Sequence, residues 1–317
     1  DIIINEDERN TTDKIKFSDD TKASDLKFYQ DDNKNLIISK GKNSITIKGF
    51  YSFNKDNMPN SVIDQIQFND GSYLNLKEIN ALALLSSDDS NNYLSVVTND
   101  SYEVNAKGGD DFISTLGGDD KILSGSGSDK IYSGAGNDYI DAGSGNDTVN
   151  AGSGNDIIIG GSGNDVLSGE AGNDTYIFHS NFGNDTIINK DSSNTTTDTI
   201  WFKEHSLKDL EFIYKESSGN LTIKDSFNNS IVIKDFKNDP IDKFIFKDNT
   251  TIFKEDIANI ATIIGNDDKV FVNGYTNAGF GNDTYKISLS SNGGVIKDLF
   301  TLFGTSVESG NDTIEFS

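Results

Sequence analysis

Apolar residues recur along this chain with two different periods. In the first hundred residues they alternate with polar ones, as in Lys14-Ile15-Lys16-Phe17, Ser44-Ile45-Thr46-Ile47-Lys48 and Ile63-Asp64-Gln65-Ile66-Gln67-Phe68, with a short apolar run at Leu36-Ile37-Ile38. Alternation predicts half-buried strands, and the Asp/Asn/Gly clusters at 30–35 and 69–71 predict the turns between them. Within 74–85, Leu76, Ile79 and Ala83 fall at helical spacing, which predicts one short helix capping this module. Between residues 106 and 177 the period becomes nine, with Ile113, Ile122, Ile131, Ile140, Val149, Ile158, Leu167 and Tyr176 at equal intervals. One apolar residue in nine is too sparse for a helix or an ordinary strand. It predicts a strand of about three residues and a turn of about six, two units making one turn of a flattened parallel coil with about 4.8 Å between stacked strands. The eight apolar residues then face inward, and stacking on neighbours supplies stability that no single turn has.

From Asp198 to about Ala261 the alternating pattern returns in the order of the first module. Asp198-Thr199-Ile200-Trp201-Phe202 corresponds to Asp13-Lys14-Ile15-Lys16-Phe17, Asp209-Leu210-Glu211-Phe212 to Asp25-Leu26-Lys27-Phe28, and Ile231-Val232-Ile233-Lys234-Asp235-Phe236 to Ile45-Thr46-Ile47-Lys48-Gly49-Phe50. Ile241-Asp242-Lys243-Phe244-Ile245-Phe246 likewise matches residues 63–68, and Glu255-Asp256-Ile257 matches Lys77-Glu78-Ile79. The expected architecture is all-β: a parallel β-roll (a β-solenoid) at 106–177 between two related β-rich modules with short capping helices. The first module is 1–105; 178–262 holds a junction and the second; 263–317 holds degenerate roll-like turns. Those turns, and the junction, carry Gly-Asn-Asp echoes out of nonapeptide register, at Asp185, Asp283 and Asp312 and in Gly265-Asn266-Asp267-Asp268.

The polar positions of the nonapeptides carry the candidate chemistry. Asp111, Asp120, Asp129, Asp138, Asp147, Asp156, Asp165 and Asp174 stand nine apart, each two residues before its apolar residue. Two residues before each Asp stands Gly109, Gly118, Gly127, Gly136, Gly145, Gly154, Gly163 or Gly172, and a second glycine precedes the middle units at Gly125, Gly134, Gly143, Gly152 and Gly161. The first two units place that second glycine one residue later (Lys107-Gly108-Gly109, Leu116-Gly117-Gly118), and Glu170 replaces it in the last. Glycine permits positive φ and close packing of turn on turn, which directs carbonyls and Asp carboxylates into the gaps. Unit k stacks on unit k+2, so six carboxylate pairs are expected: Asp111–Asp129, Asp120–Asp138, Asp129–Asp147, Asp138–Asp156, Asp147–Asp165 and Asp156–Asp174. Two carboxylates with several carbonyls make an all-oxygen cage suited to Ca2+, which takes 6–8 oxygens, better than to Mg2+. The plainer alternative, solvated turn carboxylates, does not require strict nine-residue spacing with paired glycines. For Asp185, Asp283 and Asp312 an ordinary turn is the favoured reading.

Charge agrees with a cation partner. The chain has 51 acidic and 27 basic residues, a formal net charge of −24, which disfavours nucleic acid and anionic membranes. It has no Cys, so disulfides and thiolate metal sites are excluded. No apolar run approaches the length of a membrane span. Opening on Asp1, the chain is read as an excised, monomeric fragment.

These nonapeptides resemble the RTX (repeats-in-toxin) family, and the flanking modules resemble those beside such repeats in haemolysin-type calcium-binding proteins. The resemblance implies a calcium-bound β-roll, export by type I secretion machinery, and folding in extracellular calcium. It implies a large toxin or adhesin as parent, located outside the cell or on its surface. No catalytic motif accompanies His179 and His205, so no enzyme is expected. The alternative is that the flanking modules bind a glycan or surface protein. Asp239-Pro240 reads as a structural turn, and Trp201, Phe202, Phe212 and Tyr214 read as strand core.

Overall fold

Each nonapeptide forms a strand centred on its apolar residue and a turn built from its glycines. The computed structural model describes residues 13–17, 19–52, 63–85, 87–190, 196–215, 217–239 and 241–264. It also describes the backbone of Ile2–Ile4, Val270–Val272, Thr284–Leu289 and Thr313–Phe316. Pro240, Asp283, Asp312 and the turn at 265–268 lie outside the described residues.

The repeat strands alternate between two parallel sheets. Phe112–Ser114, Lys130–Ala135, Thr148–Ser153 and Val166–Ala171 stack in one; Lys121–Leu123, Tyr139–Asp141, Ile157–Ile159 and Thr175–Phe178 stack in the other. In-register pairing lines up Ile113, Ile131, Val149 and Leu167 on one wall and Ile122, Ile140, Ile158 and Tyr176 on the other. All eight are at most 1% exposed. A one-residue slip would turn each wall outward, so the hydrophobic column itself enforces the register.

The ladders do not stop at the boundaries expected at 106 and 177. On the N-terminal side Tyr93–Ser95 pairs in parallel with Phe112–Ser114, and Glu103–Asn105 with Lys121–Leu123. Leu94 and Val104 extend the two apolar columns without any nonapeptide around them. On the C-terminal side Asn184–Ile187 and Thr199–Phe202 continue the stack, followed by Ser230–Ile233 and Lys243–Ile245 of the second module. The sheets thus reach ten and eight strands among the described residues. Backbone ladder groups at a sheet end need partners, and a module edge with an inward apolar residue at the same height supplies them.

The two modules share their order of elements, including the predicted helix, which forms at Leu76–Leu84. Asn75 caps it by accepting the Glu78 N–H, and the Glu78 carboxylate accepts the Asn75 N–H in return. The second module has only the short Ile257–Ile260 turn of helix at this place.

The modules differ in how they join the roll. The second contributes Ile231, Ile233, Phe244 and Phe246 to one continuous core that runs from Leu84 through the roll to Ala261. There the core thickens from aliphatic to aromatic: Phe178 packs on Phe182 and Phe202, and Phe202 stacks on Phe246 at 5.7 Å. The first module keeps a separate core of Ile15, Phe28, Leu36, Ile38, Phe50, Tyr51, Ile66, Phe68 and Ile79. It meets the roll through a few apolar contacts, with Leu84 of its helix entering the roll's core and Tyr93 packing on the module's own, and through the Gln30 amide, which donates to the Ser95 carbonyl and accepts the Ser95 N–H, both at 2.7 Å. Stability is therefore expected to divide unequally. In chelator, hydrogen exchange should leave 13–83 protected while 199–253 exchanges with the roll; simultaneous loss in both modules would contradict this division.

Phe202 and Phe212 are core residues as expected, but Trp201 is not, and Tyr214 is only half-buried. Ile200 and Phe202 take the inward positions of their strand, so alternation turns Trp201 to the outer face, where the Lys203 ammonium lies over its ring.

Candidate metal centre

The six expected carboxylate pairs are stacked neighbours, and one hydrogen bond recurs through all of them. The Asp129 Oδ1 accepts the Asp111 N–H at 2.8 Å, and the same bond, 2.8–2.9 Å, joins Asp120 to Asp138, Asp129 to Asp147, Asp138 to Asp156, Asp147 to Asp165 and Asp156 to Asp174. Each carboxylate thus spends one oxygen fixing the turn below. The second oxygen, Oδ2, is buried without a hydrogen-bond partner in Asp111, Asp120, Asp129, Asp138, Asp147, Asp156 and Asp165. Buried polar atoms are nearly always paired, so a row of orphaned carboxylate oxygens marks a place built for a ligand. Near Asp120 and Asp138 the Thr115 and Ser133 hydroxyls are already donating to the Ser133 and Ala151 carbonyls.

Each glycine rests on a carbonyl of the turn before it. A Cβ on Gly127, Gly136, Gly145, Gly154, Gly163 or Gly172 would sit 1.6–2.2 Å from the carbonyl oxygen of the glycine eighteen residues earlier. The same holds, at 1.8–2.0 Å, for the second-glycine row at Gly125, Gly134, Gly143, Gly152 and Gly161, whose partners in the first turns are the Lys107 and Leu116 carbonyls. Gly109 and Gly118 rest instead on Ser90 and on Asp100-Ser101. The three non-glycines of the second row, Lys107, Leu116 and Glu170, hold φ of 67–75°, against 93–110° for the glycines there. They relax into the left-handed region that an L residue tolerates. Among the described residues no three His, Asp or Glu side chains cluster as a cage. The unpartnered oxygens of stacked carboxylates are hard donors of the kind that suits Ca2+.

The rows extend beyond the nonapeptides. Asp185, expected as an isolated turn out of register, is in register: its Oδ1 accepts the Asp165 N–H at 2.9 Å, and its Oδ2 is a buried orphan. The spacing of twenty rather than eighteen residues between Asp165 and Asp185 does not interrupt the ladder. On the other wall Asp198 accepts the Asp174 N–H at 2.9 Å, and Asp242 accepts the Asp198 N–H at 3.0 Å. Asn189 donates to the second oxygen of Asp198 at 2.8 Å, which closes that row. Asp64 accepts the Asp13 N–H at 2.8 Å in the first module, the counterpart of Asp242 with Asp198. The signal was the recurrence of Asp at 13, 64, 198 and 242 at matching points of the duplicated module. At the N-terminal end Asn92 and Tyr102 occupy the Asp position, donating their N–H groups to Asp111 and Asp120 at 2.6 and 2.7 Å. The first two units are consequently interior turns rather than frayed ends.

A second ladder runs outside the first. Asn155 donates to the Asn137 amide oxygen, Asn173 to Asn155 and Asn164 to Asn146, from backbone and side chain alike. Asp110 and Asp119 hold that position in the first two units, adding charge beside Asp111 and Asp120.

Electrostatics make the rows unfavourable without a cation. Desolvation, reinforced by neighbouring carboxylates, raises Asp111, Asp120, Asp147 and Asp156 to about 7. Burial brings Asp165 to about 6, and burial with the Asp165 and Asp147 carboxylates brings Asp185 to about 8. Asp138 is also raised by burial. The histidines serve elsewhere: His205 is buried edge-on to Phe182 and Phe202 with Nε2 3.3 Å from Asp225, and His179 is exposed beside Glu204.

Residues 105–140 and 141–176 match the model of the RTX calcium-binding nonapeptide repeat (4 copies). No curated protein matches the chain. Among solved structures it is similar to the crystal structure of extracellular lipase LipA from Serratia marcescens, at 15% identity and a TM-score of 0.23, over 52% of this chain and 39% of that one. The chain thus spans well under two thirds of that protein's length.

Proposed function

With RTX calcium-binding nonapeptide repeats at 105–176, we propose that this chain is the calcium-dependent folding and scaffold segment of a large protein exported by type I secretion, a toxin or adhesin acting outside the cell. The observation that carries the reading is the run of buried, stacked carboxylates in which the Oδ2 atoms of Asp111, Asp120, Asp129, Asp138, Asp147, Asp156, Asp165 and Asp185 lack hydrogen-bond partners. In it the Asp Oδ1 atoms tie each turn to the last, the Oδ2 atoms and glycine carbonyls hold calcium in the gaps, and the second module closes the roll's end. Calcium supplies the positive charge that lets adjacent carboxylates ionise together in a desolvated gap. A chain held unfolded where calcium is scarce can be threaded through an export channel and folds where calcium is plentiful. No catalytic step is assigned to it.

Six pairs within the repeats and Asp165–Asp185 give seven candidate calcium gaps; Asp174–Asp198 is left out because Asn189 holds the second Asp198 oxygen. Titrating calcium into the chelator-stripped chain by calorimetry is expected to saturate near this stoichiometry. Asp185→Ala should lower it by one with the remaining sites intact. An unchanged stoichiometry in that variant would remove Asp185 from the metal set.

A second reading, a ligand site on the second module, is favoured by Trp201, which stands on the outer face between Ile177 and Ile245 in the register of the sheet. Saturable glycan or cell-surface binding by the full chain in calcium, lost in Trp201→Ala, would support it; binding unaffected by that substitution would discard it.

A further inference from the structure

The residue five before each carboxylate from Asp120 to Asp174 is small: Thr115, then Ser, Ser, Ala, Ala, Gly and Gly at steps of nine, ending at Gly169. Each follows its inward apolar residue by two, so strand alternation turns it to the interior, and all of them are buried. A larger side chain there would meet the carboxylate itself. A Cβ on Gly160 would lie 2.6 Å from the Asp165 Oδ2, and one on Gly169 would strike the Asp174 carboxylate. In Asp120, Asp129, Asp138, Asp147, Asp156 and Asp165 the Oδ2 is a buried orphan. Small residues thus stand beside the oxygens that the turn-to-turn hydrogen bonds leave over.

One turn further the small residue gives way to Asn189. Leu167 pairs with Ile187, and the Ile188 N–H donates to the Leu167 carbonyl, which sets Asn189 opposite Gly169. The Asn189 Nδ2 donates to the Asp198 Oδ2 at 2.8 Å, while the Asp174 N–H holds the Asp198 Oδ1 at 2.9 Å. Tyr176, the one aromatic residue among the eight inward positions, orients this amide. Its hydroxyl oxygen accepts the Gly169 N–H at 2.8 Å, which leaves its proton for the Asn189 Oδ1 at 3.3 Å. With its oxygen engaged there, the amide turns its N–H end to Asp198. Tyr176, Asn189 and Asp198 are all buried. The next carboxylate of the row, Asp242, accepts the Asp198 N–H at Oδ2 and the Lys254 ammonium at Oδ1, 2.6 Å away. At this end of the wall the chain itself supplies an amide and then an ammonium to the carboxylates.

We propose that Asn189 takes the place of calcium in the Asp174–Asp198 gap and excludes the metal there. This rests on the reading of the other gaps as calcium sites. Calcium is bound through oxygen, whereas an amide N–H offers it no ligand and occupies the Asp198 oxygen instead. The substitution ends the metal row without leaving that oxygen buried and unpaired, which would cost its full desolvation penalty. Asn189 is then the residue that sets how many cations this wall holds. Three gaps remain on it, Asp120–Asp138, Asp138–Asp156 and Asp156–Asp174. The other wall, which ends on the orphaned oxygen of Asp185, keeps four.

Asn189→Ser restores the small side chain of the earlier turns and takes the amide off the Asp198 Oδ2. Calorimetric titration of the chelator-stripped full chain with calcium should then find one ion more than in wild type. Asp198→Asn, which keeps an acceptor for the Asp174 N–H, should cancel that gain when added to Asn189→Ser. Anomalous scattering from wild-type crystals grown in calcium should place the metal in the repeat gaps and none on Asp198. If Asn189→Ser disturbs folding, the wild-type crystal decides alone. Calcium on Asp198 in that crystal, or a folded Asn189→Ser variant with the wild-type count, would overturn the proposal. A wild-type chain that takes up no calcium in any gap would overturn the calcium reading and this proposal together, so the two failures are told apart.

Discussion

Chelating calcium at neutral pH is expected to dismantle the roll and the second module, and acidifying the same chelated sample to about pH 4 is expected to restore much of the lost β signal. The sign follows from the raised carboxyls. With no cation beside them, Asp111, Asp120, Asp147 and Asp156 titrate at about 7 in the folded roll, against 3.8 for an ordinary Asp. A group whose folded pKa is raised contributes its stability below the unfolded value and loses it as pH climbs through the folded value. The metal-free roll is therefore most stable below about pH 4 and weakens steadily toward about pH 7–8, each tenfold gain in proton affinity on folding being worth about 1.4 kcal/mol per group. The opposing carboxylates act lower. Asp225, buried beside His205 and bonded to Asn229, is held below the usual value, so its contribution fails only when pH drops under 3.8. Far-UV circular dichroism from about pH 4 to about pH 8, with and without chelator, reads the outcome. In calcium the signal should stay flat across the neutral range. A chelated chain that keeps its full β signal at neutral pH would sink the coupling of folding to metal.

Gly145→Ala is expected to destabilise the calcium-loaded roll by at least about 3 kcal/mol, near the upper end for a single added methyl. Gly145 has φ of 130°, outside the left-handed basin that other residues reach, and its Cβ would lie 1.7 Å from the Gly127 carbonyl oxygen. Both the backbone and the turn beneath must move. Gly41→Ala is the control. Gly41 has φ of 60° with nothing within 4 Å of the added atom, so about 1–2 kcal/mol is expected there. Urea unfolding in saturating calcium measures both. Equal midpoints for the two variants would show that turn-on-turn contact is not what the glycine serves.

Residues 106–177 were legible because one constraint acts on every unit. A coil that rises one strand spacing per two units must place the same residue type at the same height each time, so sequence period and structural period coincide. Ile113 through Tyr176 as core and Asp111 through Asp174 as stacked pairs follow from that alone. The helix at Leu76–Leu84 was legible for a local reason, the apolar stripe of Leu76, Ile79 and Ala83, while the structure added the Asn75–Glu78 cap. Trp201 was misplaced because composition signals a strand but not which face it turns; Ile200 and Phe202 decided that by filling the core.

The sequence by itself determined the roll, its metal chemistry and the duplication of the flanking modules, since each of these is written as a repeated spacing. Only the tertiary structure decided where the roll ends. Hydrogen-bond ladders extend wherever a strand of the right register meets an open edge, whatever its sequence spacing. This is why Asn92, Tyr102, Asp185, Asp198 and Asp242, outside nonapeptide spacing, sit in the Asp rows. The same rule merges the second module with the roll in one core and leaves the first with a core of its own. Such a meeting of edges depends on distances in space, which a linear period does not encode.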